Sequence, residues 1–360
     1  MFIISPKWIY FGNRKIESGK SLLIDGSVIA EILTDNNVLK KYNKIPRIHY
    51  KHHLMLPTFS ECYINVDDCT NHDIYSKKLT SLLKNGVTKV QVVSNNYKSF
   101  LKYDVPSNMN ISYKIILDAS KYKYDDMRSV LKTLDFYKAD HTKKFSIDVK
   151  NISNFKNDVL MKVASICNEL NLSIDIHLGE LAHLSNKQIN DIFKFWEEIN
   201  LTNNYAVHDF LQSEKLVQKN VDKVNTTLII RYSDLFDVNN LALFFSLMKK
   251  KYKCVLVSDL DNTFRLYDLL SGINLFFENN LVFDEYNIIK SFTSYSSHFF
   301  QEASLSNSIS NGSLASFNIY DIQKKRLLLK NNFFPQLSDL DNTSLTNVWS
   351  SGEAIDIEDE

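Results

Sequence analysis

Glycine occurs only eight times in 360 residues. No strand-like run is followed by a glycine-rich loop, so the phosphate-cradling turn of a dinucleotide fold is missing. Cysteine is also scarce. Cys62, Cys69, Cys167 and Cys254 include no Cys-x-x-Cys pair and make no disulfide framework; they read as small buried hydrophobes in a reducing compartment. An excess of either charge is lacking, because 42 Lys and Arg meet 42 Asp and Glu. That balance argues against nucleic acid or an anionic membrane as partner. No run approaches the roughly 18 apolar residues that cross a bilayer. The start, MFIISPKWIYFG, has no basic segment leading into a long apolar one. The expectation is a soluble, cytoplasmic protein that acts on a small molecule.

What is present is ample core material: 44% apolar and 12% aromatic residues. Both ends of the chain are β-like. SLLIDGSVIAEIL places two short strands around Asp25-Gly26, a hairpin signal. ASFNIYD, KKRLLLK and TNVWSSGEAIDI repeat that texture near the other end, and SLSNSISNGS reads as the linker back to it. The middle alternates. Strand-like runs fall at 55–66, 88–93, 112–118, 145–149, 173–178, 205–208, 226–230 and 254–259, with helical patterns between most of them. Eight such units over about 250 residues match a (β/α)8 barrel; a doubly wound sheet is the alternative. The expected organisation is a TIM barrel over 57–304 and a small β-sandwich domain assembled from 1–56 and 305–360.

In such a barrel, chemistry sits at the C-terminal strand ends. The fifth strand ends in His177, with Glu180 just beyond. The sixth ends in His208, the seventh in Arg231-Tyr232, and the eighth leads to Asp259. Two histidines and an aspartate are a zinc-type donor set, and Glu180 a general acid/base beside it. Each also has a structural reading. A strand-end histidine can be hydrogen-bonded scaffold, Asp259 a helix cap and Glu180 a solvated charge. Arg231, Tyr232 and Trp196 are candidate substrate contacts. Apolar helical segments at 241–248 and 269–277 belong to the outer layer or to a homodimer seam.

The order of motifs resembles the amidohydrolase superfamily, in its aminohydrolase and chlorohydrolase branch. The resemblance runs through LLIDGSVIAEI, LMLPTFSECYINV, LLKNGVTKVQVV, IHLGE, YAVHDFL, CVLVSDLDN and NGSLASFNIYD. It implies metal-dependent hydrolysis of a C–N bond, such as deamination, in a small cyclic substrate. One divalent ion (Zn, Fe or Mn) would be held by His177 and Asp259. Glu180 would shuttle the proton, His208 would polarise the substrate or position the water, and Asp259 would help deprotonate it. Strand one departs from the pattern: Tyr63-Ile64-Asn65 stands where the family has His-x-His, with Glu61 as a substitute ligand. Thr58, Ser233-Asp234 and Ala315-Ser316 depart as well. Loss of two ligands opens the other reading, a catalytically inactive relative, without metal, that serves as a binding or scaffolding module.

Overall fold

A computed structural model describes residues 1–12, 16–67, 72–95, 106–118, 145–150, 157–170, 172–177, 205–208, 226–257, 285–300, 308–322 and 344–357, together with 185, 187, 190, 191, 194 and 340. The strands form two eight-stranded sheets. One is mixed and draws on both ends of the chain: β1 (Phe2–Tyr10), β2 (Ile16–Ser18), β3 (Lys20–Asp25), β4 (Val28–Thr34), β5 (Arg47–Pro57), β14 (Phe317–Asp321), β15 (Leu345–Ser350) and β16 (Glu353–Ile355). Its order is β16-β15-β14-β5-β1-β3-β4, with β2 on β1; only β1 and β5 pair in parallel. The β3–β4 hairpin turns at Asp25-Gly26 as expected, with Gly26 at φ 58°.

The other sheet is parallel throughout: β6 (Phe59–Asn65), β7 (Val87–Ser94), β8 (Asn110–Asp118), β9 (Phe145–Lys150), β10 (Ile174–His177), β11 (Tyr205–His208), β12 (Thr226–Arg231) and β13 (Lys253–Val257). Each strand pairs with its neighbour in sequence. The outer strands meet through side chains, since Cys62 of β6 shares an apolar cluster with Ala206, Ile229, Val255 and Val257. This is the nearly closed (β/α)8 barrel that the alternation predicts, with the mixed sheet separate from it. Helices α1 (Asp35–Lys41), α2 (His72–Lys84), α3 (Asn157–Leu170), α4 (Val238–Lys249) and α5 (Glu285–Phe292) complete the described elements. Leu79 and Leu83 of α2, Val163 and Cys167 of α3, Phe244 and Leu247 of α4 and Ile289 of α5 pack in the main core. The segment 241–248 thus lies within α4 and turns Phe244, Leu247 and Met248 into that core. Asp237 caps α4 by accepting hydrogen bonds from the Asn239 and Asn240 amides. No helix among the described residues is long and apolar enough to cross a membrane.

One element differs from expectation. Residues 55–66 do not form one barrel strand. Residues 55–57 finish β5 in the mixed sheet, and the barrel begins at Phe59. Thr58, between them, is fully buried and accepts a 2.6 Å hydrogen bond from the Thr88 hydroxyl. Both halves are apolar and extended, so local pattern carries no sign of the change of sheet. The first barrel strand is tied down at Gly86. The Gly86 carbonyl accepts from the Phe59 amide at 2.9 Å and from Asn318 Nδ2 of β14 at 3.1 Å. Gly86 has φ 84°, and a Cβ there would run into the Asn318 side chain. Gly86→Ala therefore lowers unfolding free energy by about 2–4 kcal/mol through strain and collision together. Gly26→Ala, with nothing near its Cβ, costs only about 1 kcal/mol. Urea unfolding midpoints of the two variants check the difference.

Candidate functional site

Parallel barrel strands are covered on both faces and usually read as apolar throughout. Here the two faces differ. Outward positions are apolar: Tyr113, Ile115, Leu117, Phe145, Ile147, Val149, Ile174 and Ile176 all join the helix-facing core. The alternate positions on the same strands include Ser112, Lys114, Ile116, Ser146, Asp148, Asp175 and His177, and all are buried. They point into the barrel, because their partners lie across it. The Tyr63 hydroxyl on the first barrel strand donates to Asp148 Oδ2 on the fourth at 3.2 Å. Lys114 on the third strand is paired with Asp175 Oδ2 on the fifth.

Two hydrogen-bonded chains result. In one, Asp148 holds Tyr63 through Oδ2 and His177 Nε2 through Oδ1, the latter at 2.7 Å. In the other, Asp175 Oδ2 takes both the Lys114 ammonium and His208 Nε2, the imidazole at 2.8 Å. His177 and His208 are register partners at the ends of β10 and β11. Their rings stack with centroids 4.3 Å apart, and Tyr63 meets His208 edge-on at 5.4 Å.

Protonation follows from the pairing. Burial opposes ionisation of Asp148 and Asp175, but the electrostatic attraction and hydrogen bonds of their partners outweigh it. His177 leads for Asp148 and Lys114 for Asp175, and both carboxyls are held below their ordinary range. Against ionised carboxylates, both Nε2 atoms are donors. Burial first, and then the neighbouring His177, depress His208 to about 4, so it is neutral at pH 7. Burial and the Asp148 charge push the Tyr63 phenol far up, so it keeps its proton.

The other candidates are placed unevenly. Glu61 is buried, and its Oε1 accepts the Tyr63 amide. The β6–β7 register slips between Glu61 and Ile64. The simple two-residue alternation expected for Tyr63 and Asn65 is therefore interrupted. Asn65 spends its side-chain oxygen on the Asp67 amide at 3.1 Å. Arg231 ends β12, half-buried, and its charge reaches Tyr63. Tyr232 opens the 3-10 turn Tyr232–Phe236. Glu180, Asp259 and Trp196 lie outside the described residues, as do KKRLLLK and 269–277. Sequence reasoning passed over Lys114, Asp148 and Asp175. Their signal was a charged residue inside runs that should be wholly apolar: SYKIILD, FSIDV and SIDIH.

The sequence matches no family model and no curated protein. Solved structures do match it from end to end. Aminofutalosine deaminase of Helicobacter pylori is 14% identical, with a TM-score of 0.72, covering 98% of this chain and 99% of that one. Guanine deaminase of C. acetobutylicum, with guanine bound in its active site, gives the same identity, coverage and TM-score. The zinc-complexed atrazine chlorohydrolase of Arthrobacter aurescens is 9% identical at a TM-score of 0.68, covering 98% and 95%.

The chain has the fold of these deaminases and hydrolases. The resemblance to the amidohydrolase superfamily thus holds at the level of architecture. Zinc in a relative raises the question of whether this donor set fits a metal. Among the described residues no three His, Cys, Asp or Glu side chains make a metal-holding group. The Tyr63 phenol, where the resemblance puts a histidine ligand, stays protonated, and the Asn65 oxygen is taken by the Asp67 amide. His177 and His208 each turn Nε2 to a carboxylate, which in a neutral imidazole leaves Nδ1 as the ligand atom.

The depressed His208 sets a pH dependence. An unfolded imidazole takes up its proton near pH 6.5, whereas His208 in the fold resists until about 4. Between those values the unfolded chain binds the extra proton. Stability is therefore full above about pH 6.5 and falls as pH drops toward 4, by on the order of 3 kcal/mol. The Asp148 and Asp175 contributions are lost only below that window, as unfolded carboxyls protonate. Urea unfolding at pH 7, 5.5 and 4.5 should show this slope, and His208→Gln should flatten it.

Proposed function

We propose that this chain is a binding protein on a deaminase fold. It takes a small polar molecule at the C-terminal mouth of the barrel and does not hydrolyse it through metal-bound water. The observation that carries the reading is the first barrel strand: the Tyr63 phenol keeps its proton and donates it to Asp148, and Asn65 spends its side-chain oxygen on the Asp67 amide, so neither is a ready metal ligand. The mouth itself suits a polar ligand. Asn65, Lys150 and Arg231 end their strands half-buried, Tyr63 stands two residues before the end of its own, and the Lys150 ammonium lies 5.9 Å from the Tyr63 ring centre. The even charge balance also favours a small molecule over nucleic acid.

A second reading, metal-dependent deamination, is favoured by one observation: His177 and His208 stand side by side on adjacent strand ends in a fold shared along its whole length with deaminases. It assigns Glu180 and Asp259 the acid/base and water-activating roles that the resemblance implies.

An ammonia-release assay on guanine, adenosine and other aminated heterocycles, with and without added zinc, separates the two. The expected result is no turnover, together with a rise in melting temperature from at least one compound of a polar small-molecule panel. Ammonia release that is lost in both Glu180→Gln and His208→Gln would establish the second reading instead.

A further inference from the structure

Two cations stand at the C-terminal mouth of the barrel, on strands that are not neighbours. Lys150 ends β9 and Arg231 ends β12, and both are half-buried. Strand alternation turns each of them inward. On β9, Phe145, Ile147 and Val149 join the helix-facing core, which leaves Ser146, Asp148 and Lys150 on the inner face. On β12, Leu228 and Ile230 join that core and Ile229 the interior cluster, so Arg231 follows Ile229 inward. Both charges bear on one ring. The Lys150 ammonium lies 5.9 Å from the centre of the Tyr63 ring, and the Arg231 charge acts on the Tyr63 phenol. A lysine at a strand end ordinarily carries its ammonium out to water. This one reaches from the fourth strand of the barrel to an aromatic ring on the first.

The carboxylates beneath are engaged elsewhere. Asp148 accepts from Tyr63 and His177, and Asp175 from Lys114 and His208. Just past β6, Asp67 spends both carboxylate oxygens, on the Ser94 hydroxyl and the Asn95 amide. Of the barrel strand ends, two are cationic and one is acidic: Asp118, the register partner of Lys150 on β8. Among the described side chains Lys150 has the Tyr63 ring, and no carboxylate, as its partner. We infer that the molecule taken at this mouth bears an oxyanion, a carboxylate or a phosphate, held between Lys150 and Arg231 beside Tyr63. The inference rests on the reading of the mouth as a small-molecule site and names the class of molecule. Arginine presents a planar fork of N–H donors that fits two oxygens of either group at once. Lysine adds a point charge on a flexible stem. Partial burial strengthens both attractions over what they would be in open water.

The test is thermal melting of the wild type, Lys150→Met, Lys150→Arg and Arg231→Met with matched pairs of compounds that differ in the anion. The pairs are nicotinate with nicotinamide, and adenosine monophosphate with adenosine. In the wild type the anionic member of at least one pair should raise the melting temperature by about 5 °C at roughly 100 times its Kd, and the neutral member should not. The pair that responds tells a carboxylate from a phosphate. Lys150→Met and Arg231→Met should each need about tenfold more compound for the same rise, and Lys150→Arg should keep most of the response. If Arg231→Met does not fold, the two Lys150 variants decide. A neutral member that stabilises as well as its anionic partner, or a response unchanged in both charge-removing variants, overturns the inference and leaves the binding reading standing. No rise from either anion overturns it too, and the polar panel above then judges the binding reading by itself. Ammonia released from adenosine monophosphate but not from adenosine, and lost in Lys150→Met, supports the oxyanion site while overturning the binding-only reading.

Discussion

A lysine ammonium and an aspartate carboxylate, both sealed from solvent inside a parallel barrel, constrain everything around them. Either charge alone would be costly in that interior, and the pair persists only if neither partner moves. Asp175 is therefore ionised. An ionised Asp175 requires the facing nitrogen of His208 to be a donor. The lone pair of the neutral ring is then on Nδ1. The phenol, the second carboxylate and the second imidazole form a parallel chain beside the first, linked to it by the stacked rings of His177 and His208. The protonation of the site thus follows from one buried ion pair.

The interior of the barrel is asymmetric, and the asymmetry explains how such a network is held. Inward positions on β8 to β10 include Lys114, Ser146, Asp148, Asp175 and His177. Opposite them, Cys62, Ala206, Ile229, Val255, Val257, Phe299 and Phe300 form a single apolar cluster. That cluster supplies the dry wall against which the charges are strong. The helices contribute the outward layer, where the same strands present only apolar side chains. Stability and polarity therefore occupy different faces of the same eight strands.

The fold was readable because its signal is carried by those outward faces. Ile147, Val149, Ile174, Ile176, Val207, Leu228 and Ile230 make each strand visible as a short apolar run, and the helices between them repeat at helical spacing. His177 and His208 were readable as strand-end residues, and the structure does bring them together. Lys114, Asp148 and Asp175 were not, because a lone charge within an apolar run reads locally as an interruption. Its meaning comes from a partner 61 residues away in sequence for Lys114 and 85 for Tyr63 and Asp148. The change of sheet at Thr58 escaped for a related reason. Two consecutive extended segments look alike whichever sheet each one joins.

Tyr63 shows why the departures from the amidohydrolase pattern belong together and are not independent drift. A phenol in the place of a strand-one histidine cannot serve as a ready metal ligand, but it can donate a proton to a carboxylate across the barrel. It does so to Asp148, whose other oxygen takes His177. Its ring also faces the Lys114 ammonium and meets His208 edge-on. One residue thus touches Asp148, Lys114 and His208 directly and reaches His177 through Asp148. Restoring a histidine at 63 without removing Lys114 would place a metal-seeking imidazole beside a fixed cation. Removing Lys114 without restoring the histidine would leave a buried carboxylate uncompensated. The two positions are coupled through the same few ångströms of barrel interior. That coupling is a physical ground for treating the shared fold and the shared chemistry as separate questions in this chain.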